Sequence, residues 1–307
     1  MRGVAFAAVA IATLPLAFAG GDFMDCPTDG SVPVMTLAVR AMTARLTVFD
    51  GLQAGDFAVT SGRIPPRVCG FIHGRWPVSI GILMDTSGSM ATPGTHSVSL
   101  GPAAADRLLA FSGPQDEYFL VWINDGAKVR VPFTKNLSRI RAGFPAEPRG
   151  RTALIDGLYL ALNEMRKAQY PTRALVVLSD GLDNHSAFAF DELMTAYSES
   201  PVPVFLLAPV DPWSHPHPSD ERNKDAIVRL VSKSGGYAVA SVTDEEMQRA
   251  AASVASAIRL PYLLYFSVAG LPAERHTVQV EVKGIHPRPR LFYGDAVPAH
   301  QQGASAP

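Results

Sequence analysis

The chain has 307 residues, 47% of them hydrophobic and 18% charged, which is enough apolar material for one sizeable core and a smaller companion unit. Its formal net charge is −1, and no block of Lys or Arg stands out along it. That balance gives no reason to expect an electrostatic grip on nucleic acid or anionic lipid, and nucleic acid is set aside as a partner.

At the N-terminus, Arg2 precedes an apolar, Ala-rich run from Val4 to Phe18 that closes on Ala17-Phe18-Ala19. One basic residue, a short apolar region and an A-x-A site predict a secretory signal peptide over 1–19, with the mature chain starting at Gly20. The run is shorter than the roughly 20 residues a membrane span needs, an uncleaved anchor being the alternative. Later stretches such as Leu260 to Gly270 are shorter still, so no span is expected after cleavage, and the expected address is secreted, periplasmic or cell envelope.

Residues 20–75 read as a β-rich segment, with strands expected at Val34–Val39, Ala44–Phe49 and Asp56–Val59 and a break at Pro65-Pro66. Cys26 and Cys69 are the two cysteines. In an exported protein they are expected to form a disulfide closing a loop of about 43 residues, worth a few kcal/mol; two separate buried thiols are the alternative.

Residues 76–259 change rhythm. Short continuous apolar runs at Val78–Met84, Tyr118–Ile123, Ala174–Leu178, Val202–Ala208 and Tyr237–Val242 alternate with helical patterns at Ala103–Phe111, Ala153–Ala168, Phe190–Ser198, Lys224–Ser234 and Asp244–Ile258. Strands buried on both faces and separated by helices predict an α/β fold, a doubly wound, Rossmann-like and mostly parallel sheet. Lys128–Phe133, after the turn Asn124-Asp125-Gly126, is expected to add an antiparallel partner. Thr243-Asp244-Glu245-Glu246 opens the last helix as a capping box.

Beyond it, 260–299 carries Tyr262–Val268 and His276–Lys283, the second alternating polar and apolar residues as half-exposed antiparallel strands do. Neither flank has enough strands to be stable alone, so the two are expected to pair into a small β appendage. A polar, Gly/Ala/Pro-containing tail over 300–307 is expected to be disordered.

Chemistry concentrates where the first core strand ends. Val78–Met84 runs directly into Asp85-Thr86-Ser87-Gly88-Ser89, placing a carboxylate where burial is costly unless it is compensated. Asp85, Ser87 and Ser89 are spaced by two, so an extended segment points their oxygens the same way. The strand Ala174–Leu178 delivers Asp180-Gly181 at its own carboxyl end, the end at which ligands bind in open α/β sheets. If those strands are neighbours, two carboxylates face one crevice and need a cation between them. Thr152, just before the long helix, is placed to add a hydroxyl. Asp85, Ser87, Ser89, Thr152 and Asp180 are thus the candidate metal ligands, five hard oxygen donors that suit Mg²⁺ or Mn²⁺. Such a set leaves a coordination position for a Glu or Asp carboxylate from a partner protein.

These residues resemble the metal-ion-dependent adhesion site of von Willebrand factor type A domains, and the resemblance covers roughly Trp76 to Arg259. Asp56-Phe57, Asp180-Gly181-Leu182-Asp183-Asn184 and Tyr262-Leu263-Leu264-Tyr265 are similar more narrowly to bacterial exported proteins of the same group. The resemblance implies an exported, non-enzymatic adhesion-type binding module. A metal-dependent hydrolase or phosphoesterase is the alternative, and an envelope-assembly scaffold whose metal is only structural is another. Plainer readings stand beside it: Ser87 and Ser89 as a local capping turn, Asp180-Gly181 as a turn, and Thr152 as a helix N-cap. Asp183, Asn184 and His185 are expected on a mobile rim, Asp116-Glu117 in a solvated turn, and Trp213, His215 and His217 in a surface loop. Arg149 and Arg151 either meet the incoming carboxylate or face water.

Overall fold

The computed structural model describes residues 23–27, 32–61, 66–91, 97–144, 148–209, 221–241, 243–267 and 277–298. The proposed signal peptide, the loop holding Trp213, His215 and His217, and the C-terminal tail lie outside the described residues.

In chain order the N-terminal strands are β1 (Phe23–Met24), β2 (Val34–Met42), β3 (Phe57–Thr60) and β4 (Arg67–His73). The central unit follows with β5 (Ser79–Asp85), α1 (Ser97–Leu109), β6 (Glu117–Ile123), β7 (Ala127–Thr134), α2 (Leu137–Ala142), α3 (Leu154–Met165), β8 (Arg173–Leu178), α4 (Phe190–Glu199), β9 (Val204–Ala208), α5 (Glu221–Lys233), β10 (Ala238–Ala240) and α6 (Asp244–Arg259). The last strands are β11 (Tyr262–Ser267), β12 (Gln279–Val282), β13 (Arg290–Phe292) and β14 (Val297–Pro298).

The central sheet has the order β10-β9-β8-β5-β6-β7, parallel except for the β6–β7 hairpin. Every residue of β5 is buried because the sheet is covered on both sides. On one face Ile80, Ile82 and Met84 pack with Leu108 of α1, Ile140 of α2 and Val254 of α6. On the other, Leu83, Phe119 and Val177 pack with Leu158 of α3, Leu193 of α4 and Leu230 of α5. This is the doubly wound α/β architecture expected from the alternation of apolar runs and helical patterns, and its strand order puts Asp85 beside the end of β8.

The flanks pair with each other. β11 lies between β4 and β2, antiparallel to both, while β12 pairs with β3. Met35, Leu37, Phe71, Tyr262, Leu264 and Phe266 form their shared core. Cys26 and Cys69 are joined in a disulfide, which fastens the chain after β1 to β4.

Several local expectations are corrected. Ala44–Phe49 is a turn with one bridge, Met42 to Val48, because Thr43 and Thr47 bond each other through both backbone and hydroxyl groups and Leu46 sits at φ 58°. β4, which starts directly after Pro66, is a strand that the sequence reading did not place. Asp116 and Glu117 are buried: Asp116 accepts two hydrogen bonds from Arg259, and Glu117 accepts from Ser79 Oγ and the Gln169 N–H. The short helix α2 was not anticipated, although Asn136, whose side chain accepts from the N–H groups of Ser138 and Arg139, marks its start.

Candidate metal centre

β5 and β8 run side by side in register, Met84 opposite Leu178, so Asp85 and Ser179 leave the sheet together. Ser179 Oγ donates to Asp85 Oδ2 at 2.6 Å, and the Ser87 N–H donates to Oδ1 at 2.8 Å. Asp85 is 3% exposed. Burial, reinforced by the charge of Asp180, pushes its carboxyl up to about 6. No Lys or Arg side chain pairs with either carboxylate among the described residues.

The Ser87 and Ser89 hydroxyls are 3.0 Å apart, but the expected extended segment is corrected: Gly88–Ala91 is a short 3-10 helix, and it is this turn that brings the two oxygens together. Two backbone bonds then bring in the loop ahead of α3: Arg149 N–H to Thr86 O at 2.6 Å and Gly88 N–H to Gly150 O at 2.9 Å. Gly150 has φ 85°, a conformation that disfavours any side chain, and a Cβ there would also stand 2.6 Å from a carboxylate oxygen of Asp125, which would have to shift. Asp125 in turn accepts from the Arg151 N–H at 2.9 Å, holding the loop from the β6–β7 turn.

Thr152 is 2% exposed, and its expected alternative role as the cap of α3 is not what the chain does. The cap position is Ala153, and the first N–H groups of α3 are taken by others: Ile155 donates to Asp183 Oδ2 at 2.7 Å and Asp156 to Ser186 Oγ at 3.0 Å. The Thr152 backbone is clamped, its N–H donating to Asn184 Oδ1 and its carbonyl accepting from the N–H groups of Asn184 and His185. Its hydroxyl is thereby left free of helix duty. Asp183 and Asn184 are this clamp rather than a mobile rim; Asp183 is 5% exposed.

Asp180 both makes a turn and stays available: Oδ1 accepts from the Leu182 N–H at 3.1 Å, with Gly181 at φ 80°. The five candidate ligands therefore lie on three loops that are hydrogen-bonded to one another at one end of the sheet. Sequence reasoning missed Asp125, Asp183 and Asn184 as supports, because their partners are 26 to 32 residues away. Ser179 alone carried a local signal, being next to Asp180.

The donor set fits a hard divalent cation. Two buried carboxylates repel one another, and hydroxyl oxygens stand beside them; no three His, Cys, Asp or Glu side chains gather as an alternative metal group among the described residues. With such an ion bound, the chain would offer Asp85, Ser87, Ser89, Thr152 and Asp180 as its holders.

Residues 80–182, from β5 through the Asp180 turn, match the family model of the von Willebrand factor type A domain. None of the curated proteins matches the chain. Among solved structures, BatB from Bacteroides thetaiotaomicron is 15% identical with a TM-score of 0.46, covering 59% of this chain and 98% of that one. The PilB minor pilin from Streptococcus sanguinis is 13% identical with a TM-score of 0.45, over 60% of this chain and 62% of that one. Proximal thread matrix protein 1 from the mussel byssus is 14% identical with a TM-score of 0.48, over 60% and 49%.

Proposed function

The chain carries a von Willebrand factor type A domain, and from that premise we propose that it is an exported, non-enzymatic binding module whose divalent cation, Mg²⁺ or Mn²⁺, is completed by a Glu or Asp of a partner protein. The observation that carries this reading is the pair of carboxylates, Asp85 and Asp180, at the ends of two adjacent strands, with no Lys or Arg partner among the described residues, together with a Thr152 side chain that does not cap α3. A bound cation would supply charge neutralisation and a position open to an outside oxygen ligand.

The chain's own residues supply the rest. Ser179 and the Ser87 N–H orient the Asp85 carboxylate, Asp125 and Asn184 fix the loop that presents Thr152, and burial excludes water behind the donors. Export is supported by the A-x-A pattern ending at Ala19 and by the Cys26–Cys69 disulfide, which oxidising compartments preserve. No described helix is long and apolar enough to cross a membrane.

Two measurements test the reading. Saturating Mg²⁺ is expected to raise the melting temperature of the purified protein, by about 2.7 kcal/mol of stability at a hundredfold excess over Kd. Asp85→Ala is expected to abolish that shift. An equal shift in the variant overturns the metal site, and partner binding that persists undiminished in EDTA overturns the mode of recognition.

A further inference from the structure

The fold sets along one edge the cations of a single sequence segment, Lys128 to Arg151. Between residues 97 and 144 stand six Lys or Arg residues and four Asp or Glu residues, but Asp116 and Glu117 are buried inside the domain. Asp106 is taken by Arg141 at 2.5 Å, and Asp125 by the backbone and side chain of Arg151. Within that stretch no acidic side chain is left to balance Lys128, Arg130 and Arg139, all of which are exposed.

Geometry makes these a continuous surface. β7 is the last strand of the central sheet, and register places Lys128 opposite Trp122. Arg130 lies over the same indole, 4.8 Å from the ring centre. α2 packs on β6 and β7 and carries Arg139 and Arg141 outward. At its upper end the edge turns through Asp125 directly into Arg151 and Arg149, the two residues that flank Gly150 beside the candidate metal centre. Arg149 is exposed. The start of α6, at the same end of the sheet, carries Asp244, Glu245 and Glu246, of which Glu245 is paired with Arg249.

We propose that the surface from Arg149 and Arg151 along the β7 edge is the docking face for an acidic polypeptide segment, continuous with the carboxylate that enters the metal centre. This rests on the function proposed above. The contrast in charge gives the segment a direction: a run of Asp or Glu is attracted over β7 and repelled from the start of α6. Recognition then joins one metal-directed carboxylate to several charge contacts, and the latter weaken with salt.

The test compares a fluorescein-labelled oligoglutamate peptide with an equally long Gly/Ser peptide holding one central Glu, by anisotropy at low and high salt in Mg²⁺ and in EDTA. Wild-type protein is expected to prefer oligoglutamate, and Lys128→Gln/Arg130→Gln/Arg139→Gln to bind it about tenfold more weakly while keeping the Mg²⁺-induced thermal shift. Unchanged oligoglutamate binding by the triple variant overturns the proposal, as does equal affinity of wild type for both peptides. Tighter binding of heparin or of phosphatidylglycerol vesicles through the same three residues overturns the polypeptide as the occupant. Oligoglutamate binding that needs the three cations but survives EDTA and Asp85→Ala keeps the docking face and overturns the metal reading instead.

Discussion

At the scale of single residues, Asp85 sets a conflict between stability and binding. Its folded carboxyl is raised from 3.8 to about 6, so the metal-free folded state holds a proton more tightly than the unfolded chain does. The sign follows by linkage: this group's contribution is most favourable below pH 4, is lost as pH rises from about 4 to about 6, and is flat above. Two pKa units correspond to about 3 kcal/mol. Metal-free protein is therefore expected to lose stability on that scale across this window in urea titrations, and Asp85→Asn to flatten the profile. At neutral pH the metal-free Asn variant is expected to be at least as stable as wild type and to show no Mg²⁺ shift. A variant as pH-dependent as wild type would remove Asp85 as the cause. Thr152 separates the two roles from the other side. Its hydroxyl caps no helix while its backbone is held by Asn184, so Thr152→Val is expected to change metal-free stability by about 1 kcal/mol or less. Mg²⁺ affinity is expected to fall severalfold, read by calorimetric titration; an unaltered affinity would show that the hydroxyl is not a donor.

Among elements, the central strands were legible because burial on both faces leaves no reason for polar interruption. Ser79–Asp85 and Arg173–Leu178 match their sequence patterns to within a residue, and with them came the alignment of Asp85 and Asp180. The flanks were less legible. β4 follows a proline pair that reads as a break, and Phe71 packs in a core shared with β11, its strand partner from the far end of the chain. The same limit hid Asp125, Asp183 and Asn184, since a side-chain oxygen that holds a distant loop has no local spacing to betray it. Gly81 is a case where the sequence states a residue but only packing gives the reason. A Cβ there would stand 2.3 Å from Phe119 Cζ and 2.7 Å from Leu175 Cδ2, so the ring occupies the space a side chain would need. Gly81→Ala is expected to cost about 2 kcal/mol through overpacking, visible as a lower midpoint in urea with little change in slope. A neutral outcome would mean that β6 yields to the methyl group.

On the scale of the whole molecule, two buried arginines tie distant elements together, Arg259 within the central domain and Arg40 between that domain and the appendage, and they differ in kind. Arg259, at the end of α6, gives two bonds to Asp116, one to Tyr118 Oη and one to the Ala255 carbonyl. Arg40 reaches from β2 to the Gly235 carbonyl at 3.2 Å and lies over Phe205, but its Nε has no partner, and burial lowers its guanidinium to about 10. Removing one member of a satisfied buried pair leaves the other charge stranded, so Arg259→Met is expected to cost about 3 kcal/mol or more. Arg40→Met removes a poorly compensated cation and is expected to cost under about 1 kcal/mol. Equal losses would show that pairing does not decide the difference.

The same architecture predicts how the molecule comes apart. α6 passes through Leu260 and Pro261 straight into β11, and β11 is the strand that holds β4 and β2 together. Ser253 of α6 also donates to the Leu46 carbonyl in the turn after β2, and Met42 of β2 packs in the same core as α6. The appendage therefore shares both chain and core with the domain, and neither is expected to unfold ahead of the other. The Cys26–Cys69 bond closes a loop of 43 residues inside the appendage, which the chain-entropy model values at about 4 kcal/mol. Reduction is expected to lower a single calorimetric transition by that amount rather than to split it, because destabilising one part of a coupled body destabilises the whole. Two resolved endotherms after reduction, with the Mg²⁺ shift confined to the upper one, would show instead that the domain stands alone and that the appendage is a separately melting attachment.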